Sequence, residues 1–501
     1  MDQPRDGQDS FGSSRECFGE VLGWLEGPDA AALSHAELED QLDSRGRELL
    51  RRMLQDHLSL RTLTEPRLDE VRDADALRHS AVEAGHHRPL ATVFGEVEVT
   101  RLAYRRRGQP NLYPADAALN LPDERHSHGL RRLAATEASR GSFEEAAAAL
   151  ERGTGQHLGK RQVEALTARA AVDVEAFYAS RAHEAPTAAE GDILVLSADG
   201  KGIVMRPDAL RPATAKAAAS ATNKLPGRLS KGEKRNRKRL AEVGAVYDLT
   251  PVPRTAADVL VSKAGQAPTA APRAGAKWVT ASVVNDAAEV IATVFDEAER
   301  RDPQHVRRWV ALVDGNNHQI DRIEAEARAR GVEVAIVVDL IHVLEYLWGA
   351  AWCFFTERDP AAQAWVHDRA LAVLNGHARQ VAVGIRRRAS TAGLSKQKRL
   401  KADTCAKYLT NKADYLDYPT ALAEGWPVAS GVIEGTCRYL VADRMDITGA
   451  RWSINGAEAV LKLRAVRAND DFDDYWTFHL NNERRRVHQT RYADANIPTA
   501  A

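Results

Sequence analysis

The spacing of apolar residues divides the chain into a helical first part and a later part in which strands and helices alternate. Residues 1–75 are rich in charge, and the apolar positions in LEDQLDSRGRELLRRMLQDHLSLRT recur at helical spacing. The run ATVFGEVEVTRLAY at 91–104 alternates apolar and polar side chains around Gly95, which predicts a two-stranded hairpin. We therefore predict a helical segment over 1–85 and a region over 86–185 that begins with a small β module.

A pair of helices is predicted within residues 142–170. Ser142 is a candidate N-cap with Glu145 three residues later, SFEEAAAALERGTG ends on glycine, and LGKRQVEALTARA resumes the helical period. Such a pair resembles a DNA-binding helix-turn-helix, whose second helix would carry Lys160 and Arg161 to a DNA groove. Two packed helices with a glycine turn are also common as plain structure, and both interpretations stay open.

From residue 191 onward, short apolar runs alternate with helical patterns, which is typical of an α/β fold. In GDILVLSADGKG, the run 192–198 predicts a buried strand that ends at Asp199, and residues 202–205 predict the returning arm of a hairpin. Further strands are predicted at 243–249, 277–284, 309–313 and 334–338, and helices at about 286–301 and from Ile341. We expect an α/β core over 186–357 with a basic loop inserted at 206–242, a helical insertion over 358–428, and the end of the core with a basic tail over 429–501.

The composition is that of a large globular protein. The chain has 501 residues, 44% hydrophobic and 28% charged, which suits roughly two to four domains. Its first residues lack the apolar core of a secretory signal, and acids interrupt the most apolar long stretch, so we expect no membrane span. The four cysteines are far apart without a Cys-x-x-Cys pair, which favours a reducing cytoplasm.

Positive charge is concentrated in three segments, although the formal net charge is −1. Residues 224–239 hold eight Lys or Arg against one acid, residues 386–401 hold seven against none, and a third cluster lies at 483–491. Three clusters in a neutral chain favour phosphate contacts, because each neutralised phosphate releases counterions. The alternative is a solvated loop. In the first cluster, the candidates for DNA contact are Lys234, Arg235, Arg237, Lys238 and Arg239.

Three acids occupy comparable places in the predicted fold. Asp199 and Asp314 each end a buried strand at a glycine turn, and Glu434 lies where a loop enters a helix. An isolated Asp before Gly is ordinarily a turn residue, but three converging carboxylates suit phosphodiester chemistry. Two divalent ions about 3.5–4 Å apart stabilise the attacking and leaving oxygens, and Mg²⁺ prefers oxygen ligands. The expected cofactor is therefore Mg²⁺ or Mn²⁺, with two ions held by these three acids.

Four motifs resemble those of the DDE transposases of bacterial insertion sequences: ADGKG (198–202), LVDGNNHQID (312–321), VVDLIHVLEYLWGAAW (337–352) and SGVIEGTCRYLVADRMDITGARWSINGAEAVLKLRA (430–465). The chain is similar to the ISKra-type family, which is related to the ISL-type and Mutator-like groups, over roughly residues 85–490. The GARW and GAEA stretch is the most specific part. The resemblance implies an RNase H-like catalytic core with a helical insertion before the last catalytic helix.

The resemblance also implies roles for individual residues. It matches the three acids above to the catalytic, metal-binding acids of the family. Asp339 and His342 match a Cys/Asp-x-x-His signature after the second acid, and Arg438 is a polar neighbour that could orient phosphate or water. Spacing alone would allow Asp339 to replace Asp314 as the second acid. A structural alternative is that Asp339 caps the helix beginning near Ile341 and that His342 bonds to a core partner.

The leading hypothesis is a transposase of the bacterial cytoplasm that is associated with the nucleoid. Its expected fold is α/β, with an RNase H-like core and helical insertion preceded by a mostly helical DNA-binding region with a small β module. Its expected partners are the terminal inverted repeats of its element and target DNA, with a homo-oligomer in the DNA complex and no membrane. The alternatives are a DNA-binding regulator derived from such an enzyme and a stand-alone RNase H-like nuclease.

Overall fold

A computed structural model describes residues 9–181, 192–220, 237–260, 271–447 and 449–499. The chain divides into two compact units. The first unit contains Met1–Phe177 together with Asp471–Ala501, and the second unit contains Tyr178–Asp470.

Helices and one hairpin form the part of the chain up to the unit boundary. They are α1 (Gly12–Leu25), α2 (Pro28–Ala31), α3 (His35–Thr64), β1 (Ala81–Thr92), β2 (Gly95–Arg105), α4 (Pro114–Ala118), α5 (His128–Arg140), α6 (Phe143–Thr154), α7 (Lys160–Ala170) and α8 (Val174–Ser180), which contains the boundary. Small and aliphatic side chains hold α5, α6 and α7 together, among them Leu130, Ala134, Ala146, Leu150, Val163 and Leu166.

Both features predicted in this region are confirmed as structure. The strands β1 and β2 pair antiparallel with Thr92 opposite Gly95, although the hairpin is longer than 91–104. At the start of α6, the Glu145 amide donates to the Ser142 hydroxyl and the Ser142 amide donates to the Glu145 carboxylate. This reciprocal capping box begins the helix where the sequence predicts it.

Five strands form the mixed sheet of the second unit. They are β3 (Ile193–Val204), β4 (Lys238–Leu249), β5 (Ala274–Ser282), β6 (Trp309–Val313) and β7 (Val334–Val338). The order across the sheet is β5-β4-β3-β6-β7. The β3–β4 and β4–β5 pairs are antiparallel, whereas β6 is parallel to β3 and β7 is parallel to β6. The strands predicted at 309–313 and 334–338 are confirmed, and the chain is a mixed α/β protein.

The turn predicted after Asp199 is wrong. The strand β3 continues through Asp199 to Val204. The second half of β3 pairs with β4, which begins at Lys238, and residues 202–205 do not form a returning arm. Neither Gly200 nor Gly202 has a positive φ. A Cβ on Gly202 would lie 2.9 Å from the Lys238 side chain. The glycines therefore allow close packing between the two strands, and Asp199 lies inside a strand.

The loop predicted over 206–242 is wrong at both of its ends. Its first residues form a 3₁₀ turn, Pro207–Ala209, and α9 (Pro212–Ala219). Its last residues belong to β4, because Lys238 and the residues after it complete the antiparallel ladder with β3.

Helices surround the sheet of the second unit. They are α10 (Ala256–Val259), α11 (Ala287–Arg301), α12 (Asn317–Arg330), α13 (Leu340–Ala351), α14 (Pro360–Leu374), α15 (Ala378–Thr391), α16 (Leu400–Asn411), α17 (Tyr418–Ala423), α18 (Gly431–Thr436), α19 (Asp443–Met445) and α20 (Ile454–Ala468), with a 3₁₀ turn at Ala413–Tyr415. The helices predicted at 286–301 and within 358–428 are confirmed. None of the described helices is long and apolar enough to cross a membrane.

Two residues of the GARW and GAEA stretch are structural anchors. The buried Trp452 donates its indole N–H to the Met445 carbonyl at 3.0 Å. The buried Glu458 carboxylate accepts from the Ser282 hydroxyl at 2.9 Å and from the Val283 amide at 2.8 Å. The bonds of Glu458 attach the end of β5 to α20, and the Trp452 bond connects the residues before α20 to α19.

The C-terminal residues return to the first unit through a buried charge network. The helix α21 (Phe472–Glu483) is followed by a π turn, Arg484–His488, and by 3₁₀ turns at Gln489–Arg491 and Ala493–Ala495. Arg131 on α5 is fully buried and donates to Glu124 and to Glu483, each at 2.7 Å. Pairing both carboxylates with one buried cation offsets the cost of taking these charges out of water.

This division differs from the one expected from the sequence. The segments 1–85 and 86–177 belong to one unit, and no boundary appears at residue 429. Residues 429–470 belong to the second unit, and residues from Asp471 onward belong to the first. Sequence spacing does not reveal this return, because Glu483 contacts Arg131 across more than half of the chain.

Asp173 makes the stability of the first unit depend on pH. Burial alone would raise its pKa, but bonds from His479 at 2.6 Å and Arg486 at 2.9 Å outweigh burial and lower the pKa to about 2. Because the folded-state pKa lies below the unfolded one, this contribution, of about 2 kcal/mol, is complete above about pH 4 and is lost as the pH falls through about 2. We predict that the free energy of unfolding of the Asp173→Asn variant, measured with urea, changes less steeply with pH between about 4 and 2 than that of the wild type. An unchanged slope would contradict this.

Candidate functional site

Three acids lie just beyond the stretches over which β3, β6 and β7 pair in parallel. Ser197 on β3 is opposite Leu312 on β6, the last pair of this ladder, and Asp199 and Asp314 each come two residues later in the chain. The strands β6 and β7 stay paired to their last residues, Val313 and Val338, which Asp314 and Asp339 follow directly. Because side chains alternate along a strand, Asp199 shares a face with Ser197.

Asp314 is held by a short turn and by a tyrosine from α16. Its Oδ1 accepts from the Asn316 amide at 2.7 Å, and its backbone carbonyl accepts from the Tyr408 hydroxyl at 3.0 Å. The Tyr408 ring stacks on Tyr346 with the ring centroids 4.0 Å apart. Burial raises the pKa of Tyr408, so its hydroxyl remains a donor. Gly315, with a φ of 89°, leaves room for that hydroxyl, which would lie 2.6 Å from an added Cβ.

Asp339 is fully buried, and both of its oxygens are engaged. Its Oδ1 accepts from the Ile341 amide at 2.6 Å, and its Oδ2 accepts from the amide of Ser430 at 3.0 Å and from the Ser430 hydroxyl. The predicted helix-capping role is confirmed. The core partner expected for His342 is wrong, because its Nδ1 lies 3.3 Å from the carboxylate of the exposed Glu345.

Glu434 lies in a helical segment that packs over β3 and β4. The segment runs from α18 through a π turn, Cys437–Ala442, to α19. The Cys437 thiol donates to Asp199 Oδ2 at 3.5 Å. Burial, followed by the nearby Asp199 carboxylate, raises the pKa of this thiol, so it is a neutral donor. The exposed Glu434 thus lies one helical turn before a direct contact with Asp199.

The three acids do not form a ready-made metal site. Within the described ranges, no group of three or more His, Cys, Asp or Glu side chains is arranged to hold a metal ion. The structure places Asp199 and Asp314 on neighbouring strands and Glu434 on the helical segment that contacts β3. Arg438, expected to support the site, is 82% exposed, and its Nε lies 3.8 Å from Asp443.

Glu242 is an acid near Asp199 that the sequence reasoning missed. It lies opposite Gly200 on β3 and is half-buried. Burial, followed by the nearby Asp199 carboxylate, raises the pKa of Glu242. Because Gly200 is one residue after Asp199, Glu242 is on the opposite face of the sheet from Asp199. The residue was missed because the strand predicted at 243–249 begins after Glu242, whereas β4 begins at Lys238.

The helix pair α6–α7 exposes the basic residues expected to contact DNA. Lys160 and Arg161 are exposed in the first turn of α7, while Val163 and Leu166 are buried on its other face. The Lys160 ammonium lies 2.7 Å from the Glu144 carboxylate, and both side chains are well exposed. Such a surface pair contributes little stability, so it does not hold Lys160 away from an anion.

The last residues of the first basic cluster, residues 224–239, are held by the sheet. Lys234 and Arg235 lie outside the described residues. Lys238 and Arg239 belong to β4, and Arg239 Nε donates to a backbone carbonyl after β5 at 2.6 Å. The carbonyl of Arg237 accepts from the end of β3 at 3.0 Å. A fully solvated loop is therefore wrong for the last three residues.

Fold and site define a mixed α/β protein with two acids on neighbouring parallel strands. Residues 30–214 match the model of an uncharacterised protein family, UPF0236. The matched region includes the hairpin, the helix pair and Asp199, and it ends before Asp314 and Glu434. No curated protein matches the chain.

The Tyr408 contact predicts an unequal cost for two glycine substitutions. Gly331 also has a positive φ, of 67°, but nothing lies within 4 Å of its added Cβ. Gly331→Ala should therefore cost only backbone strain, about 1 kcal/mol. Gly315→Ala should cost about 1 kcal/mol more, because the Tyr408 hydroxyl must move and lose its bond. Urea unfolding followed by tryptophan fluorescence measures the difference, and equal costs would contradict the contact.

Proposed function

We propose that this chain is a DNA transposase that cleaves and joins DNA at the ends of an insertion sequence. The observation that carries the proposal is the parallel β3–β6 register, in which Asp199 and Asp314 each follow the last paired residues, Ser197 and Leu312, by two positions. The nearby helical segment with Glu434 supports it, because Cys437 in that segment contacts Asp199 directly. Two acids on strands and a third on a helix match the motif pattern of the DDE transposases.

The sheet supports an RNase H-like core. Its first three strands in chain order form an antiparallel meander, and the last two extend the other side in parallel. The helices α14 to α17 lie in the sequence between the last strand and the segment with Glu434. This is the place where the transposase resemblance implies a helical insertion.

The donor set fits Mg²⁺ or Mn²⁺. Asp199, Asp314 and Glu434 offer carboxylate oxygens only, and hard divalent ions prefer oxygen ligands. Mg²⁺ takes one or two protein carboxylates and completes its shell with water and substrate phosphates. When bound, two such ions would stabilise the attacking and leaving oxygens of a phosphodiester.

Neighbouring groups of the protein hold the acids in place. The Asn316 amide and the Tyr408 hydroxyl fix the Asp314 turn, and the Cys437 thiol restrains one oxygen of Asp199. Asp339 is unsuited to be the second acid, because its buried oxygens already accept bonds from α13 and from Ser430. On this proposal, Lys160 and Arg161 on α7 contact the DNA of the element ends.

The central prediction separates DNA binding from cleavage. Asp314→Asn keeps the oxygen that accepts from the Asn316 amide but removes a ligand charge. We expect cleavage to fall at least about a hundredfold, because a metal ion contributes several kcal/mol and each 1.4 kcal/mol is a factor of ten. DNA affinity should change little, since phosphate contacts come from Lys and Arg. Gel shift and cleavage of labelled duplexes taken from the two flanks of the coding sequence, with Mg²⁺ or Mn²⁺, measure both.

Asp321→Asn on α12 is the control for a lost surface charge and should keep full cleavage. Full cleavage by Asp314→Asn would contradict the assignment. If the wild-type protein binds the flanking duplexes but never cuts them, the regulator hypothesis replaces the transposase. If it cuts them but never joins the products to a target, the nuclease hypothesis does.

A further inference from the structure

A groove lies beside the helical segment that carries Glu434. It has a volume of about 520 Å³. One wall is the edge strand β5 with Arg273 and Lys277 at its start, and the other is the helical segment with Gly431, Gly435 and Tyr439. Side chains of β4 form part of its lining. Gly435, the residue directly after Glu434 in the chain, lines the groove, so the groove runs along the same helical segment.

The charged side chains that line this groove are positive. Arg273 and Lys277 are the only charged residues among the described ones that line it, and both are exposed. Neither forms an ion pair with another described residue. The groove therefore presents two cations without a carboxylate, which suits a polyanion.

The walls between these cations suit a chain with a flat, apolar part. Tyr439 is 39% exposed, and the partly buried Val432 adds apolar surface. An added Cβ on Gly431 or Gly435 would meet nothing within 4 Å, so the helical wall is open over a full turn. Cationic grooves with exposed aromatic rings bind unpaired nucleic acid, because cations contact the phosphates and bases stack on the rings.

The edge strand is irregular at this place. The β4–β5 register shifts between Val246 and Asp248, and Ala276 has a positive φ of 40°. Such bulges occur next to active sites and change where a side chain points. The bulge includes Lys277, one of the two cations of the groove.

We infer that this groove binds one unpaired strand of DNA and leads it past the helical segment with Glu434. The inference rests on the proposed function, because it names the part of the DNA that this site receives. A strand opened at the cleavage point would lie with its phosphates on Arg273 and Lys277 and with a base on Tyr439.

The first test removes the two cations. In the full-length protein, Arg273→Ala with Lys277→Ala should weaken binding of a labelled single-stranded oligonucleotide of mixed sequence. The slope of log affinity against log salt should flatten by about 1.4, at about 0.7 per lost contact on a single strand. The matched control, Arg328→Ala with Arg379→Ala, removes two exposed arginines outside the groove and should leave the slope unchanged. The charge-conserving pair Arg273→Lys with Lys277→Arg should keep the wild-type slope.

The second test fills the groove without changing its charge. Gly435→Leu places a side chain in open space and favours the helix, so it should fold and still weaken single-strand binding. An unchanged salt slope in the double alanine variant would overturn the inference and leave Lys277 as a residue that protects a sheet edge. A loss confined to duplex DNA would overturn the assignment to an unpaired strand. If the wild-type protein binds no DNA at low salt, the proposed function itself fails. This outcome distinguishes failure of the proposed function from failure of the inference about the groove.

Discussion

The parallel register between β3 and β6 is the constraint on which the candidate site depends. The buried run of β3 and the run WVALV of β6 pair so that Ser197 faces Leu312, and the Ser197 hydroxyl donates to the Leu312 carbonyl at 3.1 Å. A shift of one residue would turn one of the two acids to the other face of the sheet, because side chains alternate along a strand. The apolar residues of both strands are buried, so such a shift would also expose core side chains.

A second set of contacts connects this register to the helical elements that follow. Tyr408 reaches from α16 to the backbone of Asp314. Asp339 accepts from the amide and hydroxyl of Ser430, the residue directly before α18, and thereby ties the end of β7 to the segment that carries Glu434. Helix α16 therefore holds the backbone at Asp314 through Tyr408, and Asp339 holds the start of the helix that carries Glu434.

Sequence patterns predicted the parts of this architecture that depend on local order. The strands β6 and β7 and the capping box of α6 are where the periodicity placed them, because each is decided by a short apolar run or by one cap. The turn after Asp199 was predicted wrongly, because Asp-Gly ordinarily marks a turn and the pairing with Lys238 and its neighbours is not visible locally. The Tyr408 contact joins residues 94 positions apart, so no local pattern could indicate it. For the same reason, the return of α21 to Arg131 was not expected.

The most direct test of this account is a crystal structure of the protein with a DNA end in Mn²⁺, in which anomalous scattering locates the metal. We expect anomalous peaks bound by the carboxylates of Asp199 and Asp314, with Glu434 reaching at least one of the ions. A peak bound by Asp339 in place of Asp314, or Mn²⁺ bound only away from β3 and β6, would contradict it.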